Sequence, residues 1–394
     1  MINRRVEGNF TKKKILAITG IRSEYDILKP IIFELKKNFS LKLIVSGTHL
    51  TKIHNFSEKF IKEDKIKINY KIHSLKDHNL PSSRAGAASV LIDKINNIIK
   101  KEKPDFLLVV GDREEAIATA IVGNYNNILV CHIAGGDLAF GNADDPIRFA
   151  TSKLSHIHFV FSSQNKKNLI KFGEEKFRIH VVGNPSSENI KNIKKISINK
   201  ISDFLEASIE NNKYIIFIQH PTSSEKKDNL KNYIISLEAL KAFCLEYRYK
   251  VICISPNSDP GSKDIVRSIL KYKNQDWLIF NKNIKTDIFI NLVKNCFCIV
   301  GNSSMGILES PFYKKFAINI GSRQVGRVNS GNIIYVRNNK FSIINALKKV
   351  LIKKYISNIS DIYKTRAPSK KISKIISGIN VSNKKWYIKK KLCP

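Results

Sequence analysis

The chain has 394 residues, of which 43% are hydrophobic, and a formal net charge of +35. A single core rarely grows beyond ~250–300 residues, so this length predicts two domains, and the hydrophobic fraction excludes a disordered chain. No window approaches the ~18 continuous apolar residues of a membrane helix, and the start, MINRRVEGNFTKKKIL, lacks the apolar segment of a secretory signal. We therefore expect a cytoplasmic protein with no membrane partner.

The basic excess is scattered along the chain, which is typical of a compositional bias, so we expect no nucleic-acid partner. The exception is the end, where no acidic residue follows Asp361 and KKWYIKKK precedes the last three residues. Four of the six cysteines lie inside predicted strands, where buried thiols pack as small hydrophobes. Cys296 and Cys298 share one strand face, and packing is favoured there over metal binding.

Six apolar runs alternate with helical patterns in the first half of the chain. The predicted strands are ILAITG (15–20), LKLIVSG (41–47), FLLVVGD (106–112), ILVCHIAG (128–135), HIHFVFS (156–162) and IHVVGN (179–184). Apolar residues at helical spacing predict helices over 25–37, 87–101 and 114–124. Near-continuous apolar strands separated by helices predict a parallel sheet covered on both faces.

A second series of strands follows a polar stretch at 183–212, which is the predicted join. Its runs are YIIFIQH (214–220), KVICISP (250–256), WLIFN (277–281), CFCIVGN (296–302), FAINIG (316–321) and IIYV (333–336). We therefore predict an α/β protein with two doubly wound, Rossmann-like domains, 1–185 and 186–360, that face a cleft. Residues 361–394 are predicted to form a basic tail, with a helix that packs back on the first domain as one option.

Polar, glycine-flanked segments follow six of the predicted strands. They are TGIRSEYD, SGTH, GDREE and HIAGGD in the first series, and QHPTSS and GNSSMG in the second. In doubly wound sheets, ligands bind beyond the carboxyl ends of the strands. The agreement of six segments predicts a ligand site in the cleft.

The segment GNSSMGILESP (301–311) joins a strand, a turn of small residues and the start of a helix. Backbone N–H groups at a helix N-terminus, with Ser303 and Ser304 beside them, favour a diphosphate, and a simple N-cap is an equal alternative. Glu309, five or six residues into that helix, could accept hydrogen bonds from ribose hydroxyls or be a solvated helix residue.

Arginines from both halves of the chain are candidates for binding the same anion. GSRQVGR places Arg323 and Arg327 directly after a strand, and TGIRSEYD adds Arg22 from the other half. The planar guanidinium suits phosphate oxygens, although surface arginines also pair with nearby carboxylates.

Three histidines differ in what their positions favour. His220 lies at a strand end in QHPTSS, where an imidazole could act as an acid or as a cationic phosphate partner. His132 lies within its strand, which favours a structural role, and His49 is intermediate.

Carboxylates gather after two strands, at Asp112 in VVGD and at Asp137, Asp144 and Asp145 in the segment HIAGGDLAFGNADDPIR. Neighbouring carboxylates raise one another's proton affinity, so that one can serve as an acid while another stays ionised as a base. Such a cluster could also bind Mg²⁺, or cap helices, as Asp144 could do just before Pro146.

Together these segments resemble the UDP-N-acetylglucosamine 2-epimerase family, and its hydrolysing branch in particular. TGIRSEYD, VVGDREE, HIAGGD, ADDPIRFATSKLSHIHF, VVGNP, QHP, GNSSMGILESP and INIGSRQVGR occur in the family's order from residue 14 to about residue 336.

The resemblance implies a GT-B-like fold, no cofactor, no resident metal and a homo-oligomer, either a dimer or a tetramer. It implies release of UDP from UDP-N-acetylglucosamine, with the sugar emerging as N-acetylmannosamine for the synthesis of sialic-acid-like sugars. It implies catalytic roles for Asp112, Asp137, Asp144, Asp145, Arg148 and His220. The implied substrate-binding residues are Arg22, His49, Arg113, Ser303, Ser304, Glu309, Arg323 and Arg327.

Two departures from the family's pattern bear on the substrate. The family commonly has Glu or His where this chain has Ala134, and Glu where it has Asp137. Either the reaction relies on the remaining aspartates, or the sugar differs, as in UDP- or GDP-linked N,N'-diacetylbacillosamine. A glycine-rich stretch usual before the last helix is replaced by YKTRAPSKKISKII, which bears on the packing of the C-terminal segment.

Three rival functions remain open from the sequence. A non-hydrolysing epimerase would return UDP-N-acetylmannosamine, and a GT-B glycosyltransferase would release UDP only when an acceptor is present. A binding protein that has lost catalysis is the third, with Ala134 as its hint.

Overall fold

The computed structural model describes residues 12–52, 56–75, 81–139, 144–191, 193–222, 228–257, 259–272, 275–353, 356, 359–360, 362–383 and 390. Within them the chain forms two parallel sheets, one in each half, with helices between successive strands. The prediction of two doubly wound, Rossmann-like lobes is confirmed, and the boundary at residue 185 stays a prediction. Among the described helices, none combines the length and apolar character needed to cross a membrane.

The N-terminal sheet has seven parallel strands in the order β3-β2-β1-β4-β5-β6-β7. These are β1 (Lys14–Thr19), β2 (Ser40–Ser46), β3 (Tyr70–Ile72), β4 (Phe106–Val110), β5 (Leu129–Ile133), β6 (Ile157–Val160) and β7 (Ile179–Val181). Its helices are α1 (Arg22–Leu35), α2 (Glu58–Glu63), α3 (Pro81–Glu102), α4 (Glu114–Tyr125), α5 (Asp144–Leu154) and α6 (Ser163–Lys171). The short strand β3 is absent from the sequence prediction.

The C-terminal sheet has six parallel strands in the order β10-β9-β8-β11-β12-β13. These are β8 (Tyr214–Ile218), β9 (Lys250–Ile254), β10 (Leu278–Asn281), β11 (Cys298–Gly301), β12 (Ala317–Ile320) and β13 (Ile333–Val336). The remaining helices are α7 (Ser187–Lys191), α8 (Ile198–Leu205), α9 (Asn229–Tyr247), α10 (Ser262–Leu270), α11 (Thr286–Asn295), α12 (Met305–Leu308), α13 (Lys340–Lys353) and α14 (Pro368–Gly378).

Burial explains why the central strands are apolar along their whole length. Every residue of β4, β5 and β8 is buried, because helices cover both faces of each sheet. One apolar cluster runs from the N-terminal sheet into the C-terminal one through residues such as Phe106, Phe159 and Ile216. The five described cysteines are free thiols inside these cores, and burial raises their pKa.

Each sheet reverses its strand order at one point, and both points face the cleft. In the N-terminal sheet β1 lies beside β4, and in the C-terminal sheet β8 lies beside β11. Loops that leave such neighbouring strands diverge in opposite directions and open a crevice beyond the carboxyl ends. The predicted site segments TGIRSEYD, GDREE, QHPTSS and GNSSMG follow these four strands.

The end of the chain returns to the N-terminal lobe. Helix α14 packs on α1, and Lys13 Nζ donates to the backbone carbonyls of Ser377 (2.8 Å) and Ile379 (2.7 Å) at the end of α14. At the start of α14, Ser369 donates to the Glu188 carboxylate through its hydroxyl (2.6 Å) and its backbone N–H (3.0 Å). Residues 384–389 and 391–394, most of the predicted basic end, lie outside the described residues.

Two carboxyl groups are buried together behind the first turn of α1. Glu24 Oε2 accepts a hydrogen bond from Gly20 N–H (2.8 Å), and Glu115 Oε1 accepts one from the Ser46 hydroxyl (3.1 Å). Burial, followed by the charge of Glu115, raises the pKa of Glu24 to about 8. Glu24 therefore carries a proton in the folded chain at a pH where it is ionised in the unfolded chain.

We expect Glu24→Gln to stabilise the protein at alkaline pH. The stability that the raised pKa provides is complete below the unfolded value of ~4.5 and is lost as pH rises toward about 8, because the native state binds the extra proton. Thermal melting should give near-equal Tm values for the variant and the unsubstituted protein at pH 5, and a Tm several degrees higher for the variant at pH 9. The control is Glu34→Gln on the same helix, and an equal gain from that change would contradict the argument.

Candidate active site

The cleft contains a cavity of about 320 Å³ between the two lobes. Eleven of the fourteen site residues predicted from the sequence line it: Arg22, Asp112, Arg113, Asp144, Arg148, His220, Ser303, Ser304, Glu309, Arg323 and Arg327. Asp137, Asp145 and His49 are not among the lining residues.

The three residues behind the wall have structural partners. Both ring nitrogens of His49 meet hydroxyl groups, Nε2 that of Thr19 (3.1 Å) and Nδ1 that of Ser57 (2.9 Å). Asp145 Oδ2 accepts from Ala139 N–H (2.7 Å), and Asp137 pairs with Arg327 (2.9 Å). Burial raises the pKa of Asp145 to about 6 and also raises that of Asp137.

A buried guanidinium organises the carboxylates of the N-terminal lobe. Arg148, on α5, pairs with Asp112 at the end of β4 and with Asp145 (2.9 Å), and it donates to the Asp137 carbonyl (2.6 Å). Arg148 is 4% exposed, so these interactions are shielded from solvent. Of the four aspartates that the sequence predicted for the site, Asp112 and Asp144 line the cavity, together with Asp26 from α1.

Helix α3 supplies a charge that the sequence did not indicate. Arg84 pairs with Glu114 and reaches Asp144 Oδ1 at 3.4 Å. Asp144 is therefore held in place by a neighbouring cation.

His132 fixes the backbone next to Asp112. Its Nε2 lies 2.7 Å from the Gly111 carbonyl and its Nδ1 lies 3.0 Å from the Ser152 hydroxyl. Because a carbonyl can only accept, Nε2 carries the proton and Nδ1 accepts from Ser152. Burial lowers the pKa of His132 to about 3, so the imidazole is neutral, in agreement with the structural role favoured from its position in the strand.

Asn302 joins the two strand-end loops of the C-terminal lobe. Its Oδ1 accepts from His220 N–H (2.6 Å) and its Nδ2 donates to the His220 carbonyl (2.9 Å). The Asn302 carbonyl accepts in turn from Arg323 (3.1 Å) and Gln324 (2.9 Å). One residue of GNSS therefore positions both QHP and the arginine loop.

His220 is a neutral hydrogen-bond donor in this arrangement. Asn257 N–H donates to His220 Nδ1 (3.0 Å), so the ring proton is on Nε2. Burial, followed by the charge of Arg323, lowers the pKa of His220 to about 3. A neutral ring differs from both roles predicted from the sequence, an acid and a cationic phosphate partner, and it offers an Nε2–H donor at the cavity wall.

The arginines of the C-terminal lobe have spare donors. Arg327 Nε and Nη1 and Arg323 Nε are buried, and within the described part of the chain they have no hydrogen-bond partner. Buried polar groups are normally hydrogen-bonded, and these donors lie on residues of the cavity wall. Guanidinium donors suit phosphate oxygens.

Asp259 connects both lobes at the same place. Its carboxylate pairs with Arg113 of the N-terminal lobe (3.1 Å) and with Arg323 of the C-terminal lobe (3.8 Å). The pKa of Asp259 is lowered to about 2, because the two guanidinium groups outweigh the effect of its burial. Sequence reasoning missed Asp259 and Asn257, although SPNSDPG follows β9 and was a further strand-end loop.

Glu309 was predicted five or six residues into a helix, and the structure places it after the helix end. Helix α12 ends at Leu308, and a 3₁₀ turn over Ser310–Tyr313 follows, so Glu309 stands just past a four-residue helix and not within a longer one. Pro311 accounts for this break, because it cannot donate the hydrogen bond that would continue the α-helix. Burial, followed by the charge of Asp26, raises the pKa of Glu309 to about 8.

Arg22 crosses the cleft at the other end of the cavity. It donates to Thr286 Oγ1 (2.9 Å) and to Asn283 Oδ1 of the C-terminal lobe, and its guanidinium lies 4.4 Å from the Phe60 ring centre. Arg22 is thus held between the lobes at the cavity wall.

Ala134 has a left-handed backbone, with φ of 65°, directly after β5. It is not among the residues that line the cavity. Among the described residues, no group of three or more His, Cys, Asp or Glu side chains is arranged to hold a metal ion.

Comparisons with known proteins agree on one family. A family model described as UDP-N-acetylglucosamine 2-epimerase matches residues 33–377. The chain is 33% identical over 340 residues to a UDP-N-acetylglucosamine 2-epimerase of Neisseria meningitidis serogroup B, which covers 86% of this chain and 87% of that protein. It is 32% identical to a GDP/UDP-N,N'-diacetylbacillosamine 2-epimerase (hydrolyzing) of Campylobacter jejuni, over 82% of this chain and 84% of that protein.

A solved structure also matches across both lobes. The UDP-GlcNAc 2-epimerase of Methanocaldococcus jannaschii, in complex with UDP-GlcNAc and UDP, superimposes with a TM-score of 0.77 at 23% identity. The match covers 92% of this chain and 99% of that one. The predicted GT-B-like arrangement of two lobes is therefore confirmed.

Proposed function

The chain belongs to the UDP-N-acetylglucosamine 2-epimerase family, and on that premise we propose that it hydrolyses UDP-N-acetylglucosamine to N-acetylmannosamine and UDP. The observation that carries the proposal is the division of the cavity wall. Carboxylates line it on the N-terminal side, at Asp112 and Asp144, and arginines with spare donors line it on the C-terminal side, at Arg323 and Arg327. A nucleotide sugar needs both surfaces at once, since its sugar and its diphosphate are adjacent.

The first half of the reaction is an elimination. The C1–O bond breaks, its electron pair leaves with the β-phosphate of UDP, and a base removes the C2 proton to give a glucal. We assign the base to Asp112, because its pairing with buried Arg148 stabilises the carboxylate form. Asp144 adds negative charge beside the positive character that develops at C1.

The second half is a hydration. Water adds its hydroxyl to C1 of the glucal, and a proton is delivered to the opposite face of C2, which inverts that carbon. We assign the delivery to Asp144, which takes the proton that the attacking water loses and passes it to C2, while Asp112 releases the proton it removed earlier to solvent. Two carboxylates then act on the two faces of the ring.

The departing UDP is stabilised from the other lobe. Arg323 and Arg327 supply guanidinium donors, and His220 supplies a neutral Nε2–H. Fixed donors aimed at developing negative charge act strongly in a site shielded from water. Glu309 and the hydroxyls of Ser303 and Ser304 are assigned to the nucleotide.

A second substrate is favoured by a specific observation. The relatives in Campylobacter jejuni and Legionella pneumophila are named as hydrolysing epimerases of N,N'-diacetylbacillosamine nucleotides, at 32% and 31% identity. A sugar that carries an acetamido group in place of a hydroxyl needs different partners in the sugar pocket. Homo-oligomeric assembly and cytoplasmic location stay predictions.

The test is a proton NMR time course in D₂O with UDP-N-acetylglucosamine and no acceptor. We expect free N-acetylmannosamine with deuterium at C2, together with UDP, because the C2 proton is exchanged during elimination and hydration. An unchanged spectrum here, with turnover of UDP-N,N'-diacetylbacillosamine in a parallel tube, would favour the second substrate.

Other outcomes would point away from hydrolysis. Intact UDP-N-acetylmannosamine would indicate a non-hydrolysing epimerase, and UDP release only with an added acceptor would indicate a glycosyltransferase. UDP binding without any turnover would indicate a binding protein.

A further inference from the structure

Lys390, near the end of the chain, is buried against the N-terminal lobe. Its Nζ donates to the backbone carbonyls of Ser152 (3.0 Å), Lys153 (2.6 Å) and Ser155 (2.5 Å). It also pairs with the carboxylate of Glu174 (3.0 Å). Only 8% of the Lys390 side chain is exposed, whereas lysines are rarely buried unless they are paired.

The three carbonyls lie at the end of α5. Ser152 and Lys153 belong to its last turn and Ser155 follows it, where carbonyl groups run out of partners within the helix; the Ser152 carbonyl also accepts from Ser155 N–H (3.0 Å). A cation at a helix C-terminus also interacts favourably with the helix dipole. Lys390 therefore holds the end of α5 opposite to the turn that carries Asp144, Asp145 and Arg148.

A second connection leads from the same turn to Asp112. The Ser152 hydroxyl donates to His132, and His132 donates to the Gly111 carbonyl directly before Asp112. Asp112 and Asp144 are thus both connected to the last turn of α5.

The buried groups around Lys390 depend on its side chain for a partner. Burial lowers its pKa to about 8, and Glu174 opposes that effect. Glu174 has no exposed side-chain surface and also bonds His158 Nε2 (2.9 Å). Without Lys390, the Glu174 carboxylate and three carbonyls would each lose a partner in a buried place, which is unfavourable.

We propose that Lys390 is a positioning residue for the reaction, which holds α5, and with it Asp112 and Asp144, in the geometry for catalysis. This inference rests on the proposed function for its effect on turnover. Its effect on α5 is independent of the reaction.

The test compares Lys390→Met with Lys390→Arg and with Lys348→Met. Methionine keeps an apolar stem and removes the charge, arginine restores a cation, and Lys348 is a half-exposed residue of α13 paired with Glu246. We expect Lys390→Met to lower kcat about 10-fold or more, since small displacements of catalytic groups reduce turnover strongly. UDP affinity and KM should stay within about 3-fold, because the nucleotide side is built by the other lobe.

Hydrogen exchange of the α5 amides provides a readout that does not need activity. In Lys390→Met we expect faster exchange over 148–156 and unchanged exchange in α9. Lys390→Arg should recover at least half of the lost kcat and half of the lost protection in α5. Lys348→Met should change neither kcat nor exchange. Unchanged exchange in α5 and unchanged kcat would overturn the inference, as would a uniform rise in exchange across the lobe. If the unsubstituted protein does not turn over a nucleotide sugar, the proposed function fails, and the exchange result still decides whether Lys390 holds α5.

Discussion

Replacing Asp112 by asparagine is expected to lower turnover by about 1,000-fold while UDP affinity changes by less than about 3-fold. Asparagine has the shape of aspartate and can still accept a hydrogen bond from Arg148, but it cannot take the C2 proton. The nucleotide side of the cavity lies on the other lobe, at Ser303, Arg323 and Arg327, and is not touched by the change.

The measurement pairs a steady-state assay of UDP release with calorimetric titration of UDP. Asp93→Asn is the matched control, because Asp93 is 65% exposed on α3 and pairs only with surface groups. If Asp112→Asn turns over within 10-fold of the rate of the unsubstituted protein, Asp112 is not the base. A parallel loss of UDP affinity would instead indicate that Asp112 maintains the whole cleft.

Gly301→Ala is expected to destabilise the C-terminal lobe by ~3 kcal/mol or more. Gly301 has φ of 134°, and an added Cβ would lie 2.0 Å from the backbone oxygen of Ile218 on the neighbouring strand. Backbone atoms within a sheet cannot move aside as a side chain can. The steric overlap with Ile218 therefore adds to the backbone strain of alanine at a positive φ. The displaced loop carries Asn302 and Ser303, and we therefore also expect at least a 10-fold loss of UDP affinity.

Two other glycines separate overlap from backbone strain. Gly321 has φ of 76° with no heavy atom within 4 Å of an added Cβ, so Gly321→Ala should cost only ~1 kcal/mol. Gly86 lies in α3 with equal space, and Gly86→Ala should be neutral or stabilising by up to ~1 kcal/mol. Thermal melting of the three variants tests this order of stabilities. Equal Tm values for Gly301→Ala and Gly321→Ala would contradict the steric argument.

Much of the fold was predictable because its strands are buried on both faces. Runs such as FLLVV in β4 and YIIFI in β8 are apolar throughout, and this pattern is hard to mistake. Strand β3, with three residues at the sheet edge and only Ile72 buried, lacks that signal. The end of α12 at Leu308 was missed because the helical pattern continues past it while Pro311 prevents the helix from continuing.

Site residues were predictable where their place directly after a strand is enough to bring them to the cavity. Asp112 and His220 follow strands at the two points of reversed order, and both line the cavity. Asp137 also follows a strand, but its side chain pairs with Arg327 of the other lobe, a contact that no local pattern encodes. Arg84 and Asp259 were missed for the same reason, since their partners are distant in the chain.

Two ion pairs cross the cleft and join the cavity wall of one lobe to the other. Arg113 with Asp259 and Arg327 with Asp137 each join one lobe to the other, and both arginines belong to the cavity wall. Each of these arginines therefore belongs both to the cavity wall and to a contact between the lobes. Breaking either pair would leave a buried carboxylate, Asp259 or Asp137, without that partner, which is unfavourable, so a ligand that binds these arginines acts on the same groups that join the lobes.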